Sequence, residues 1–319
     1  MKTKNLKLLP SCAVMLSTLL APAAASALLI DNDIAPGTLG HWQVDVRTGG
    51  ESRDADLTAN RQASGDVFTE NVLYDYYSYV DTGTGGVQLS GSAPASCGAD
   101  CVSSFGSFIG SGGNTIDWTV QSSIPDGGSI MTSIFDFSTD QGTLGDIQFF
   151  QYMDEDIQGV SDDVFFTRGS IATLDLELFT VDNTEVYGVS HGGAMDASQG
   201  LVNAIVDGWA MCNFNSMKPA ITGGTQTVSP TGDICAARAG DTFLHPDVGT
   251  VYGPFDIVST LAWSVDPRAT EASIVTTLGG VPDITDIPPP AIPEPATLAM
   301  MGLGLAGLGF QRRRRRKQA

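Results

Sequence analysis

Short stretches of alternating apolar and polar residues, broken by Gly- and Asp-rich turns, run through most of this 319-residue chain. In Trp42-Gln43-Val44-Asp45-Val46 the apolar side chains fall at every second position. Successive side chains of an extended chain point to opposite faces, so such a segment buries one face and wets the other. Residues 171–179 read the same way, with Leu174, Leu176 and Leu178 on one face and Asp175 and Glu177 on the other. Residues 67–80 are rich in Phe, Tyr and Val, which fit a pleated surface. Further strands are expected at 102–109, 114–121, 129–137, 146–152, 163–167, 185–190, 256–265 and 272–278, with turns at 83–86, 110–114, 126–128 and 142–145 between them. This punctuation predicts an all-β fold, an antiparallel β-sandwich or jelly-roll-like domain over residues 28–280 with one or two short helices. One helix is expected from Ala197 to about Met217, where Leu201, Ile205 and Trp209 recur at four-residue steps.

Both ends of the chain read as addresses rather than as parts of that domain. Lys2, Lys4 and Lys7 precede an apolar core at 12–20, and Ala25-Ser26-Ala27 offers a small-x-small cleavage site. Residues 1–27 are therefore expected to be a signal peptide, which implies the Sec translocation machinery as a partner. At the other end a Pro-rich linker, residues 281–292, leads to Pro293-Glu294-Pro295. An uncharged apolar run follows at 296–310, then Arg312, Arg313, Arg314, Arg315, Arg316 and Lys317. As a helix that run spans roughly 22 Å, short of the ~30 Å bilayer core. The basic cluster should stay on the cytoplasmic side, with everything before Pro293 on the other.

This order of Pro-Glu-Pro, single transmembrane helix and Arg cluster resembles the PEP-CTERM sorting signal of Gram-negative bacteria. The resemblance implies recognition by an exosortase, a membrane-embedded processing protease. Pro293, Glu294 and Pro295 would be the recognition motif, 297–310 the transient inner-membrane anchor and Arg312 to Arg316 the stop signal. Removal of the tail would release the protein to the cell surface or to an extracellular polysaccharide matrix.

Between the two addresses lie seven Lys and Arg against 35 Asp and Glu, a net charge of about −28. Such a surface excludes nucleic acid and anionic membranes as partners and suits divalent cations. Four cysteines remain once Cys12 leaves with the signal, and an even number in an exported chain predicts disulfides. Sequence proximity favours Cys97–Cys101 and Cys212–Cys235.

Three constellations could carry chemistry. Gly188-Val189-Ser190-His191-Gly192 fits the Gly-x-Ser-x-Gly nucleophile elbow, with Asp207 or Asp241 and then His245 following in the hydrolase order. The antiparallel character of the preceding 160 or so residues argues against it, and a turn at a strand end is the plainer reading. In the acidic stretch 154–163, Asp154, Asp156, Gln158 and Gly159 occupy positions 1, 3, 5 and 6 of an EF-hand-like loop. Position 12, where a bidentate Glu belongs, is Phe165, so a full EF-hand is rejected; a looser calcium site at Asp154, Asp156, Asp162 and Asp163 is weighed against a solvated acidic hairpin. Tyr74, Tyr76, Tyr77 and Tyr79 could present rings to sugars or pack in a core. His41, His191 and His245 are too scattered for a metal triad. The sequence favours an exported, non-catalytic cell-surface or matrix protein with a structural or adhesive role, able to meet calcium and extracellular polysaccharide; the alternative is a secreted serine hydrolase using Ser190 with His245 as base.

Overall fold

The computed structural model describes residues 27–60, 65–155, 157, 163–182, 187–235, 242–245, 249–253 and 256–282. The signal peptide, the sorting motif Pro293, Glu294 and Pro295, the apolar run, Arg312 to Arg316, and Asp156, Asp162 and Asp241 all lie outside the described residues. No helix among the described residues is long and apolar enough to cross a membrane.

The chain opens with the strands β1 (Leu28–Asp31), β2 (Trp42–Val46), β3 (Ala55–Asn60) and β4 (Val67–Asn71). Then come β5 (Asp75–Asp81), β6 (Gly86–Gln88), β7 (Ala95–Gly98), β8 (Cys101–Ile109), β9 (Thr115–Ser123) and β10 (Ile130–Ser138). The middle of the chain supplies β11 (Gln148–Asp154), β12 (Asp163–Arg168), β13 (Glu177–Asp182), β14 (Gly188–Gly193) and β15 (Ala204–Asn213). A helix, α1 (Phe214–Thr222), precedes β16 (Asp233–Ile234), β17 (Thr242–His245), β18 (Gly249–Tyr252), β19 (Ile257–Val265) and β20 (Glu271–Val281).

These strands form three sheets. The largest runs β17-β18-β12-β13-β14-β20-β10-β9-β8-β7, the second β16-β15-β19-β11-β5-β6, and the smallest is the meander β1-β2-β3-β4. Among the described residues every strand pairing is antiparallel except the short β15–β16 contact. The inner faces of the two larger sheets meet in a core that includes Trp118, Phe135 and Phe137 from one side and Phe149, Leu261 and Trp263 from the other. Truncating one such buried Phe to Ala would cost about 3–5 kcal/mol.

Strand β20 shows how the small sheet fits in. Its inward residues Ala272 and Ile274 belong to the sandwich core, whereas Leu278, two turns of the pleat further along the same face, packs with Trp42, Val44 and Leu57 of the meander. One face of the large sheet is therefore shared by two covering sheets. Tyr76 bridges the junction, its hydroxyl donating to Thr276 Oγ1 at 3.3 Å. On the far side of the second sheet, α1 covers Tyr77, Tyr79, Phe150 and Tyr152 with Met217 and Ile221. A disulfide, Cys212–Cys235, ties the segment after α1 to β15, and a second, Cys97–Cys101, closes the β7–β8 hairpin.

Two expectations are corrected. Residues 197–217 are not one helix: a 3-10 turn at Ala197–Gln199 is followed by β15, and α1 begins only at Phe214. From Gly208 to Cys212 β15 is buried on both faces, between the sandwich core and the α1 cluster, and at its start the outward residue is the apolar Ile205, so it displays no polar alternation. The segment 171–179 is a strand only from Glu177; Ile171–Thr173 is a single 3-10 turn capped by Ser170 and stopped at Leu174, whose φ is +61°.

Candidate functional site

Strand β11 carries residues to both covered faces. Phe150 and Tyr152 pack under α1, while Phe149 and Met153 pack towards the interior. The same alternation turns Asp154 towards α1 and sends Glu155, one residue later, inwards. Glu155 is 1% exposed, and neither of its carboxylate oxygens has a hydrogen-bond partner. Burial pushes its carboxyl well above the ordinary range, the charges of Asp154 and Asp163 add to the rise, and the Thr180 hydroxyl opposes it. Thr180 leans towards the carboxylate without reaching hydrogen-bond geometry.

Asp163 opens β12 and sits directly across from Asp182, which closes β13. Both are buried, and both share the inward row of their strands with Phe165, Leu178 and Thr180. The structure thus brings Glu155 beside Asp163 and places Asp154 on the opposite face of its sheet. Sequence reasoning grouped Asp154 with Asp163 and missed Glu155, Thr180 and Asp182; strand parity at the end of β11 was the signal that separates them. Oxygen ligands of this kind suit a hard divalent cation, which would offset the burial that pushes the Glu155 carboxyl up.

Asp154 faces Asp75 across the β5–β11 pair. Asp75 is paired with Lys218 Nζ at 3.2 Å and Arg53 Nε at 3.6 Å. The Tyr152 hydroxyl donates to Asp154 Oδ2 at 3.3 Å. Desolvation, then the charges of Asp256 and Asp75, push the Asp154 carboxyl up to about 8.

A surface group, Asp31, Asp33 and Asp100, brings three carboxylates within 4.8 Å of one another. All three are at least partly exposed, so water already solvates them.

Ser190 lies in β14, paired with Phe179 of β13 on one side and Gly279 of β20 on the other. The strand continues to Gly193, so the serine is flanked by antiparallel neighbours and not perched on a strand-to-helix turn. His245 is in β17, four strand spacings away in the same sheet, roughly 19 Å at ~4.8 Å per strand. Asp207 accepts hydrogen bonds from Gln148 Nε2 and Ser264 Oγ, both at 2.7 Å. His191 points inwards, its ring edge-on to Tyr76 at 5.7 Å, and burial lowers its pKa to about 3, so it is neutral. Of the tyrosine row, Tyr76, Tyr77 and Tyr79 are buried and Tyr74 is 54% exposed.

No curated protein matches this chain. Among solved structures, a bacterial glucoamylase complexed with acarbose superimposes with a TM-score of 0.41 at 10% sequence identity. The match covers 82% of this chain but only 32% of that one, so the chain spans about a third of its length, and a likeness this distant bears on neither activity nor ligand. Residues 291–316 match the PEP-CTERM protein-sorting motif. The chain therefore carries the sorting signal of an exosortase substrate, and that signal implies export with transient anchoring in the membrane through the C-terminus.

Proposed function

We propose that this is a non-catalytic protein of the cell surface or extracellular matrix of a Gram-negative bacterium, structural or adhesive in role, whose sandwich is clamped by a divalent cation. Calcium is the fitting ion, because the available ligands are all oxygens and the site joins chain segments from two sheets. The Sec machinery would carry the protein out, and the exosortase would cut its tail. The observation that carries the cation is Glu155: a carboxylate buried between the sheets, beside Asp163, with no hydrogen bond to either oxygen. An unpaired buried charge is costly, and a cation removes that cost. The mid-strand setting of Ser190, and its distance from β17, support the absence of serine-hydrolase chemistry.

The test is thermal unfolding of the purified protein in millimolar calcium and in chelator. A ligand held only by the folded state stabilises by about 2.7 kcal/mol at a hundredfold excess over its dissociation constant. For a domain of this size that raises Tm by roughly 5–10 °C. Equal melting in calcium and chelator removes the clamp. Covalent capture of a fluorophosphonate probe at Ser190 would replace the non-catalytic reading by the hydrolase.

A further inference from the structure

We infer that the cleft bounded by Arg47, Arg53, Tyr74, Tyr77 and Lys218 binds an acidic saccharide, one whose rings carry carboxylates. This deepens the adhesive reading above and rests on it, naming the ligand class through which the protein would hold to a matrix.

The first observation is where the positive charge goes. Seven Lys and Arg remain in the region between the two addresses, and three of them, Arg47, Arg53 and Lys218, line this one cleft. They come from two separate parts of the chain: the two ends of the β2–β3 connection, and α1. Everywhere else the surface is dominated by acid. Arg53 and Lys218 share a single carboxylate, that of Asp75, and Arg47 faces Asp54 at 3.8 Å, so three cations meet three carboxylates in a cleft set in an otherwise acidic surface. Arg47 is bound to Asp45 by Nη2 at 2.8 Å and is held in position by it.

Second, the cations are held in place before any ligand arrives. Lys218 Nζ lies 4.5 Å from the centre of the Tyr77 ring and the Arg53 guanidinium carbon 5.5 Å from it. Cations seated on an aromatic face lose less freedom on binding than free side chains do. Arg53 remains 55% exposed along its side chain, with only a long ion pair to Asp75, so its forked donors are open to a ligand carboxylate.

Third, Tyr77 lines the cleft, is 1% exposed, and its hydroxyl has no hydrogen-bond partner. Asp75 and Arg53 flank it without reaching hydrogen-bond geometry. A buried donor left unmade costs about 1–3 kcal/mol, and an acceptor oxygen from a ligand would satisfy it.

The remaining lining gives the ligand its class. Tyr74 presents a half-exposed ring at the rim, and Asn71 and Asp54 add donor and acceptor groups. A flat apolar face beside mixed donors and acceptors matches a sugar ring with its hydroxyls, while the exposed guanidinium of Arg53 matches a carboxylate. An acidic peptide would use the cations but has no need of the ring. The cleft encloses about 640 Å³, within the ~300–1,000 Å³ range of small-ligand sites.

Short oligogalacturonates are the probe, titrated calorimetrically into the purified protein at physiological salt, against neutral cello-oligosaccharides and poly-glutamate. We expect saturable binding of the oligogalacturonates, no binding of the neutral oligomers, and weaker or absent binding of poly-glutamate. Tyr74→Ala, at an exposed position, and Tyr77→Phe, which removes only the unpartnered hydroxyl, should each weaken binding roughly tenfold or more, and Tyr77→Phe should melt no lower than the parent. Lys218→Gln should weaken it by a similar factor. A cleft with a merely structural role would leave the affinity of Tyr77→Phe unmoved. The inference is overturned if oligogalacturonates fail to bind, if Tyr74→Ala and Tyr77→Phe bind as the parent does, or if poly-glutamate binds as tightly through the same residues. Fractionation of cells producing Tyr74→Ala separates the two readings: a variant still retained on the surface refutes this cleft and spares the adhesive role, while a parent protein never found there refutes the role itself.

Discussion

Asp75 and Asp154 stand directly opposite each other in the β5–β11 pair, and the two cations in reach, Lys218 and Arg53, are both paired with Asp75. Like charges placed so close across a pair of strands repel. The structure resolves the conflict unequally: Asp75 takes both cations, while burial and the neighbouring charges push the Asp154 carboxyl up to about 8. Glu51, buried and bonded to Gln88 Nε2 at 2.7 Å, is pushed up in the same way, to about 7, chiefly by desolvation.

The sign of the pH dependence follows. Between the unfolded carboxyl range near pH 4 and the raised folded values, the native state binds more protons than the unfolded chain. Stability must therefore fall as pH rises from about 4 to about 8, and level off above. Asp154→Asn keeps the shape and supplies the neutral form permanently. It should flatten the fall and stabilise the protein on the order of 1–2 kcal/mol at pH 8, with little effect at pH 5. Denaturant melts at the two pH values check this.

Glu155→Gln separates a cation ligand from a buried acid with no partner. In chelator the substitution should match or exceed the parent in stability at pH 8, because a charge no longer has to be desolvated. In calcium it should lose the rise in Tm that the parent shows. Parallel melts of the two proteins, with and without the ion, read both effects.

The two disulfides should differ in worth. Closing the longer loop, Cys212–Cys235, removes more freedom from the unfolded chain than closing Cys97–Cys101. On the chain-entropy account the losses on Cys→Ser replacement are about 3.5 and 2 kcal/mol. Urea melts of the paired serine variants give the order.

Gly208 marks the bulge that hid β15. Its φ is +152°, and a Cβ there would meet the Ser229 backbone at 2.2 Å. Gly208→Ala should therefore destabilise by about 2–4 kcal/mol, far more than an exposed glycine substitution would. Thermal unfolding of that single variant measures it.

That same glycine explains what could be read in advance and what could not. Where the sequence alternates, the strand was found: β10, expected at 129–137, is Ile130–Ser138 with one wet face, and β2, expected at 42–46, is Trp42–Val46 although its Asp45 is itself buried. In β15 both faces are dry from Gly208 to Cys212, and the register slips between Val206 and Gly208. The slip puts Trp209 and Met211 in the inward phase after Val206, and the outward Ile205, falling midway between buried Leu201 and Trp209, completes a four-residue spacing that imitates a helix. The candidate cation site was half legible for a related reason. The acidic run announced itself by composition, but which of its carboxylates enters the interior depends on where β11 ends, a boundary that pattern alone does not locate. The cleft around Tyr77 could not be read at all, since Arg53, Tyr74 and Lys218 meet only through the pairing of β5 with its neighbours and the docking of α1.

Export of an acidic, disulfide-bonded sandwich through its C-terminal signal is the claim on which the functional account depends. Intact mass measurement of the protein recovered from the cell surface and culture medium tests it most directly. The account predicts a chain that begins at Leu28, ends close to Pro293-Glu294-Pro295 and carries two intact disulfides. A full-length chain with reduced thiols, found in the cytosol, would contradict it.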